Sequence, residues 1–189
     1  MIIQVLNHNT YITFLDCFDT LFKGIKREKD FEVISINSYK YFRFYTDKLF
    51  SGINIKLDIR YYIEPILKKS ILLLNYHNFT NIDENSFLIE FQRRNFCYNN
   101  ESKKGLNIGW HYDDFGAVPY ICYTIIYYLT KTPTLKGGNF LFEDKNKETN
   151  KIIVEEKKYL IFKGDVLHSP QNTKGFGIRD AIVFFIKRT

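Results

Sequence analysis

Gly177-Ile178-Arg179-Asp180-Ala181-Ile182-Val183-Phe184-Phe185-Ile186 lies near the end of the chain. Read as a strand, its side chains alternate between two faces. Arg179, Ala181, Val183 and Phe185 share one, and Asp180, Ile182, Phe184 and Ile186 share the other. Both faces are largely apolar, so both need cover. One should line a barrel interior. The other should pack on separate elements, and the N-terminal region offers them. From 46 to 75, apolar residues recur at helical spacing through Leu49, Phe50, Ile53, Ile59, Tyr62, Ile63, Ile66, Leu67, Ile71 and Leu72. That predicts one or two amphipathic helices, kinked near Pro65. Residues 11–22 predict another helix, with strand-like 31–44 between them.

Upstream of the last strand, short strand patterns follow one another from Ser86 onward. They cover 87–91, 106–112, 121–129, 139–142, 151–154, 159–162 and 166–168, with Gly137-Gly138 and Lys163-Gly164-Asp165 as turns. No helical pattern interrupts them, which predicts an antiparallel sandwich or jelly roll. The expected fold is mainly β with N-terminal helices (α+β). It is read as one domain over 1–189, in which 1–85 support a core of 86–189.

Composition agrees. Of 189 residues, 45% are hydrophobic and 25% charged, which excludes a disordered tail or a fibrous repeat. Aromatics reach 17% against ten Gly and four Pro, which suits a β-rich core of large side chains. The net charge of +6 permits an anionic partner without demanding one. Three cysteines, Cys17, Cys97 and Cys122, form neither a disulfide framework nor a zinc ribbon. They point to a reducing, cytoplasmic setting. No apolar run approaches the roughly 18–20 residues of a membrane span, and Met1-Ile2-Ile3-Gln4 lacks a basic leader. A soluble protein with no membrane partner is expected.

Of the four histidines, two sit in suggestive settings. His111-Tyr112-Asp113 ends a predicted strand, so an imidazole and a carboxylate point to one side. His168 ends another. Two His and one carboxylate leave the opposite positions of a metal open, as in the facial triad of non-haem Fe(II) oxygenases. Arg179 lies in a strongly apolar stretch, where a charge is costly unless paired. Its partner is either a carboxylate of the chain, such as Asp165, or a ligand carboxylate, which suits the guanidinium fork. Thr124, Ile126 and Tyr128 share a face, and Tyr128 offers a hydroxyl. His8 and His77 read as structural, and the polar stretch 144–151 reads as a solvated hairpin tip.

Taken in order, Trp110-His111-Tyr112-Asp113, Thr124-Ile125-Ile126-Tyr127-Tyr128-Leu129, Gly137-Gly138-Asn139-Phe140-Leu141-Phe142, 162–170 and Gly177-Ile178-Arg179 resemble the 2-oxoglutarate- and Fe(II)-dependent dioxygenases. The prolyl-hydroxylase-like branch is the most similar, over about 87–189. The resemblance implies a double-stranded β-helix, a cupin-like jelly roll buttressed by helices. It implies Fe(II) on His111, Asp113 and His168, with Arg179 holding the distal carboxylate of 2-oxoglutarate. It further implies Tyr128 as a second donor to that carboxylate, with Thr124 lining the same pocket. With O2 as oxidant, such an enzyme hydroxylates a substrate carbon and converts 2-oxoglutarate to succinate.

Ala181 stands where many relatives place a hydroxyl residue, and Tyr98 is a candidate for a tyrosine found upstream of the first metal His. A protein or peptide substrate, such as a proline side chain, is favoured. The alternatives are an oxidative nucleic-acid demethylase on the same core, to which Trp110 also points, and a non-catalytic cupin-like binding protein. A zinc hydrolase would leave Arg179 without a role.

Overall fold

The computed structural model describes residues 1–24, 32–36, 39–45, 57–79, 82–96, 109–114, 121–171 and 173–188. In chain order the elements are β1 (Ile2–Val5), α1 (His8–Gly24), β2 (Glu32–Ile36), β3 (Tyr39–Tyr45), α2 (Leu57–Tyr76), β4 (Ile82–Phe96) and β5 (Ile121–Lys131). They continue with β6 (Lys136–Gly137), β7 (Phe140–Glu143), β8 (Thr149–Ile152), β9 (Lys158–Lys163), β10 (His168–Pro170), β11 (Thr173–Lys174) and β12 (Gly177–Arg188). The strands form a seven-stranded sheet in the order β1-β9-β5-β12-β4-β3-β2, a three-stranded sheet β10-β7-β8, and the pair β11-β6. Every pairing is antiparallel. This is the expected mainly-β jelly roll.

The two faces of β12 part as the alternation predicts. Ile182, Phe184 and Ile186 join a core shared with Tyr11, Phe14, Phe18, Ile63, Ile66 and Leu74 of the helices. Ala181 joins a second cluster inside the roll, with Tyr128, Phe140, Val154, Leu160 and Phe162. Helix α1 begins where Asn7 Oδ1 accepts the Thr10 amide, an N-cap. It is pinned to β5 by the Tyr11 hydroxyl, which donates to Leu129 O, and by the edge of Phe14 on Tyr127. Ser70 of α2 donates to Ile66 O and meets the fully buried Tyr127 hydroxyl at 2.6 Å. The buried tyrosine is thereby satisfied without water.

Asp180 is the one carboxylate of β12, and it faces the helices at 2% exposure. Its cross-strand partner Arg93 grips it through Nε–Oδ1 and Nη2–Oδ2, both 2.9 Å. Burial pushes the Asp180 carboxyl up, and the guanidinium pulls it back down. Arg93→Ala leaves that carboxylate buried without its fork. The expected loss is about 2–3 kcal/mol, below the usual figure for a buried pair because the Arg93 side chain is 27% exposed. An unpaired Asp180 has its folded pKa raised above the unfolded value, so the unfolded chain sheds that proton first as pH rises. The deficit is therefore larger at pH 8 than at pH 4, which urea denaturation at the two pH values checks.

The strand-like stretch 31–44 holds, in its described part, the antiparallel pair β2–β3, with Ile36 opposite Tyr39. The expected strand at 106–112 is, in its described part, a single bridge between His111 and His168. The described part of the helical stretch expected over 46–75 is one helix, α2, with Pro65 inside it; 46–56 lie outside the described residues. β1 was not anticipated: four residues are too few to show a period, and pairing with β9 decides them. No helix among the described residues is long and apolar enough to cross a membrane.

Candidate metal and cosubstrate site

His111 and His168 exchange backbone hydrogen bonds, N–H to O at 2.9 and 3.0 Å, and this bridge brings their rings to 4.3 Å. Two residues on, the amides of Asp113 and Asp114 both donate to Gly164 O, at 3.0 and 3.1 Å. The Gly164 amide donates in turn to Cys122 O at the start of β5. A Cβ at position 164 would lie 2.1 Å from Ile121 O, so only glycine lets the turn pass so close to that strand. One short turn thus ties the ligand segment to the large sheet.

Three ligand atoms, one each from His111, Asp113 and His168, lie within 4.8 Å of one another. In both rings Nδ1 is bound to a carbonyl: His111 to Gly109 O at 2.8 Å and His168 to Val166 O at 3.0 Å. A carbonyl only accepts, so each Nδ1 carries a proton, and in the neutral tautomer so fixed it is Nε2 that holds the ring's lone pair. Both Nε2 atoms lie 3.7 Å from Asp113 Oδ1, too far for a hydrogen bond. Lone pairs facing one another at that distance suit a cation between them. Thr124 Oγ1 donates to the other oxygen, Oδ2, at 2.5 Å, so Oδ1 is the one turned to the two Nε2 atoms. Burial lowers the His168 pKa, and the Asp113 charge opposes that shift. Phe140 stacks on that ring at 5.1 Å, and Phe162 meets it edge-on at 4.8 Å. His111 stands at the rim with 35% of its side chain exposed, while Asp113 and His168 lie inside at 8% and 6%.

The three open into a cavity lined also by Thr124, Ile126, Tyr128, Arg179, Ala181 and Val183. Every metal and cosubstrate candidate of the sequence reading therefore faces one space. Arg179 is 7% exposed and donates from Nη1 to Gly138 O at 2.8 Å. Asp165, weighed as its partner, is exposed on the turn. Gln92 was missed. It lines the cavity opposite Ala181, and its Nε2 donates to the buried Glu90 at 2.8 Å, which fixes the amide. A polar residue in the middle of a strand carries no local mark of facing a cavity. Tyr98 and Cys97 lie outside the described residues. The stretch 144–151 is a hairpin tip closed by Asp144, which accepts the amides of Asn146 and Glu148 and the Asn150 side chain.

No protein-family model and no curated protein matches the sequence. Solved structures do. The chain is similar to a prolyl-4-hydroxylase of Pseudomonas putida, at 13% identity over 100% of this chain and 92% of that one, TM-score 0.61. It is similar to a prolyl hydroxylase of Trichoplax adhaerens in complex with a hypoxia inducible factor peptide, at 15% identity over 99% and 83%, TM-score 0.61. It is also similar to an oxidoreductase of the 2OG-Fe(II) oxygenase family from Burkholderia pseudomallei, at 13% identity over 83% and 71%, TM-score 0.58. The fold is thus that of the 2-oxoglutarate- and Fe(II)-dependent oxygenases, the prolyl hydroxylases among them.

Proposed function

We propose that the protein is an Fe(II)- and 2-oxoglutarate-dependent dioxygenase that hydroxylates a substrate carbon. The observation that supports it most is the convergence of two tautomer-fixed Nε2 atoms and one carboxylate oxygen at the mouth of a cavity that also presents Arg179. His111, Asp113 and His168 would hold Fe(II) on one side and leave the opposite positions open. Arg179 would clamp the distal carboxylate of 2-oxoglutarate, with the Tyr128 hydroxyl beside it and Thr124 holding Asp113 in place. When bound, iron and cosubstrate supply the oxidation: O2 converts 2-oxoglutarate to succinate and CO2 and leaves one oxygen atom on the substrate carbon. The apolar walls from Ile126, Phe140, Phe162 and Val183 keep bulk water from that chemistry. The chain is read as one unit, in which 1–85 add β1 to β3 and both helices as support, and as a cytoplasmic protein.

Anaerobic addition of Fe(II) and 2-oxoglutarate should give the visible charge-transfer band of a chelated keto acid. Arg179→Ala should need at least about tenfold more 2-oxoglutarate for the same band. Iron bound without any band sinks the proposal.

A peptide substrate is favoured, in line with the peptide-bound neighbour. One observation favours a nucleobase instead: Trp110 and Tyr112 flank His111 at 45% and 44% exposure and offer stacking faces. Trp110 is the only tryptophan in the chain. Its fluorescence, titrated with a proline-rich peptide and with a short single-stranded oligonucleotide, separates the two readings.

A further inference from the structure

Lys131 ends β5 directly opposite Arg179 of β12, so the two cations stand on the same side of the sheet. Like charges facing each other across strands destabilise a sheet. Here each is drawn to a carbonyl of one dipeptide. Lys131 Nζ donates to Gly137 O at 3.0 Å and to Val154 O at 3.4 Å, while Arg179 Nη1 donates to Gly138 O at 2.8 Å. The Lys131 amide is itself anchored on Glu156 Oε1 at 3.0 Å. Gly137 and Gly138 have φ of 77° and 68°, a backbone open to glycine. A Cβ on Gly138 would come within 2.8 Å of Arg179 Nη1. The guanidinium therefore rests on a turn that a second cation also holds.

We infer that Lys131 is a positioning residue for the anion end of the cavity. By holding Gly137 O it fixes the Gly137–Gly138 turn on which the Arg179 fork rests, and so aims that fork at a ligand's second carboxylate. The assignment deepens the dioxygenase reading and rests on it.

The test compares two keto acids on the full chain with anaerobic Fe(II). 2-Oxoglutarate carries the distal carboxylate and pyruvate does not, so pyruvate reports the metal end alone. Lys131→Met should need about tenfold more 2-oxoglutarate for half the charge-transfer band, with the pyruvate titration unchanged. Lys131→Arg should restore most of the preference. If Lys131→Met does not fold, Lys131→Gln carries the same comparison. Equal weakening for both acids, as a merely structural role would give, overturns the assignment, and so does no change for either. An unmodified protein that binds Fe(II) but shows no band with 2-oxoglutarate overturns the dioxygenase reading, and the Lys131 role with it.

Discussion

Asp113→Ala is expected to abolish metal binding while leaving the metal-free fold intact. The carboxylate is the one anionic ligand of the cluster, and Oδ1 is equidistant from both Nε2 atoms at 3.7 Å. Its backbone role survives the change, because the amide of residue 113 still donates to Gly164 O. Removal relieves the facing oxygen and nitrogen atoms but leaves the buried Thr124 hydroxyl without its acceptor, so the variant without metal should still fold and melt a few degrees below the unmodified chain. The contrast appears on loading. At a hundred times the dissociation constant, a ligand that binds only the folded state adds about 2.7 kcal/mol. In a chain of this length that is a rise of roughly 5–10 °C in Tm. Thermal melts with Mn(II), a redox-stable substitute, and 2-oxoglutarate should show that rise for the unmodified protein and none for Asp113→Ala. A full shift in the variant would remove Asp113 from the ligand set.

Gly164→Ala should be the most damaging single methyl in the site. Ile121 O stands 2.1 Å from where the new Cβ would lie, and Ile121 C stands at 3.0 Å. A backbone carbonyl in a central strand has nowhere to go, so the turn must shift. That turn carries the carbonyl on which Asp113 and Asp114 hang, and His168 follows four residues later. We expect roughly 3 kcal/mol of lost stability, the upper range for overpacking, together with loss of the metal-dependent Tm rise. Urea denaturation and the same melts measure both. A loss under about 0.5 kcal/mol, the range of a neutral surface change, with metal binding kept, would refute the close approach.

Much of the site was legible because its signals are local. His111 and Asp113 are two apart, and β12 shows its two faces in its own alternation. Thr124 and Tyr128 sit on one face of β5, as an i, i+4 spacing in a strand requires. The roles within that set were not legible. The Thr124 hydroxyl goes to Asp113, since only strand β5 and the ligand turn together bring those atoms to 2.5 Å. Gln92 enters the cavity because β4 lies beside β12 with Gln92 opposite Ala181. β1 was missed because a short strand is decided by the partner it pairs with, not by its own residues.

By itself, the sequence determined which residue types were available and which face of each long strand they share. Side-chain alternation and apolar periodicity follow from the backbone of a single segment. The tertiary structure decided how those faces meet. Lys131 stands against Arg179 through strand register, and Gly164 passes Ile121 through a turn packed on a strand far earlier in the chain. Carbonyls hold the rings of His111 and His168, the Lys131 ammonium and the Arg179 guanidinium. Every residue carries a carbonyl, so nothing in a side-chain sequence marks the ones that matter; the path of the chain places them.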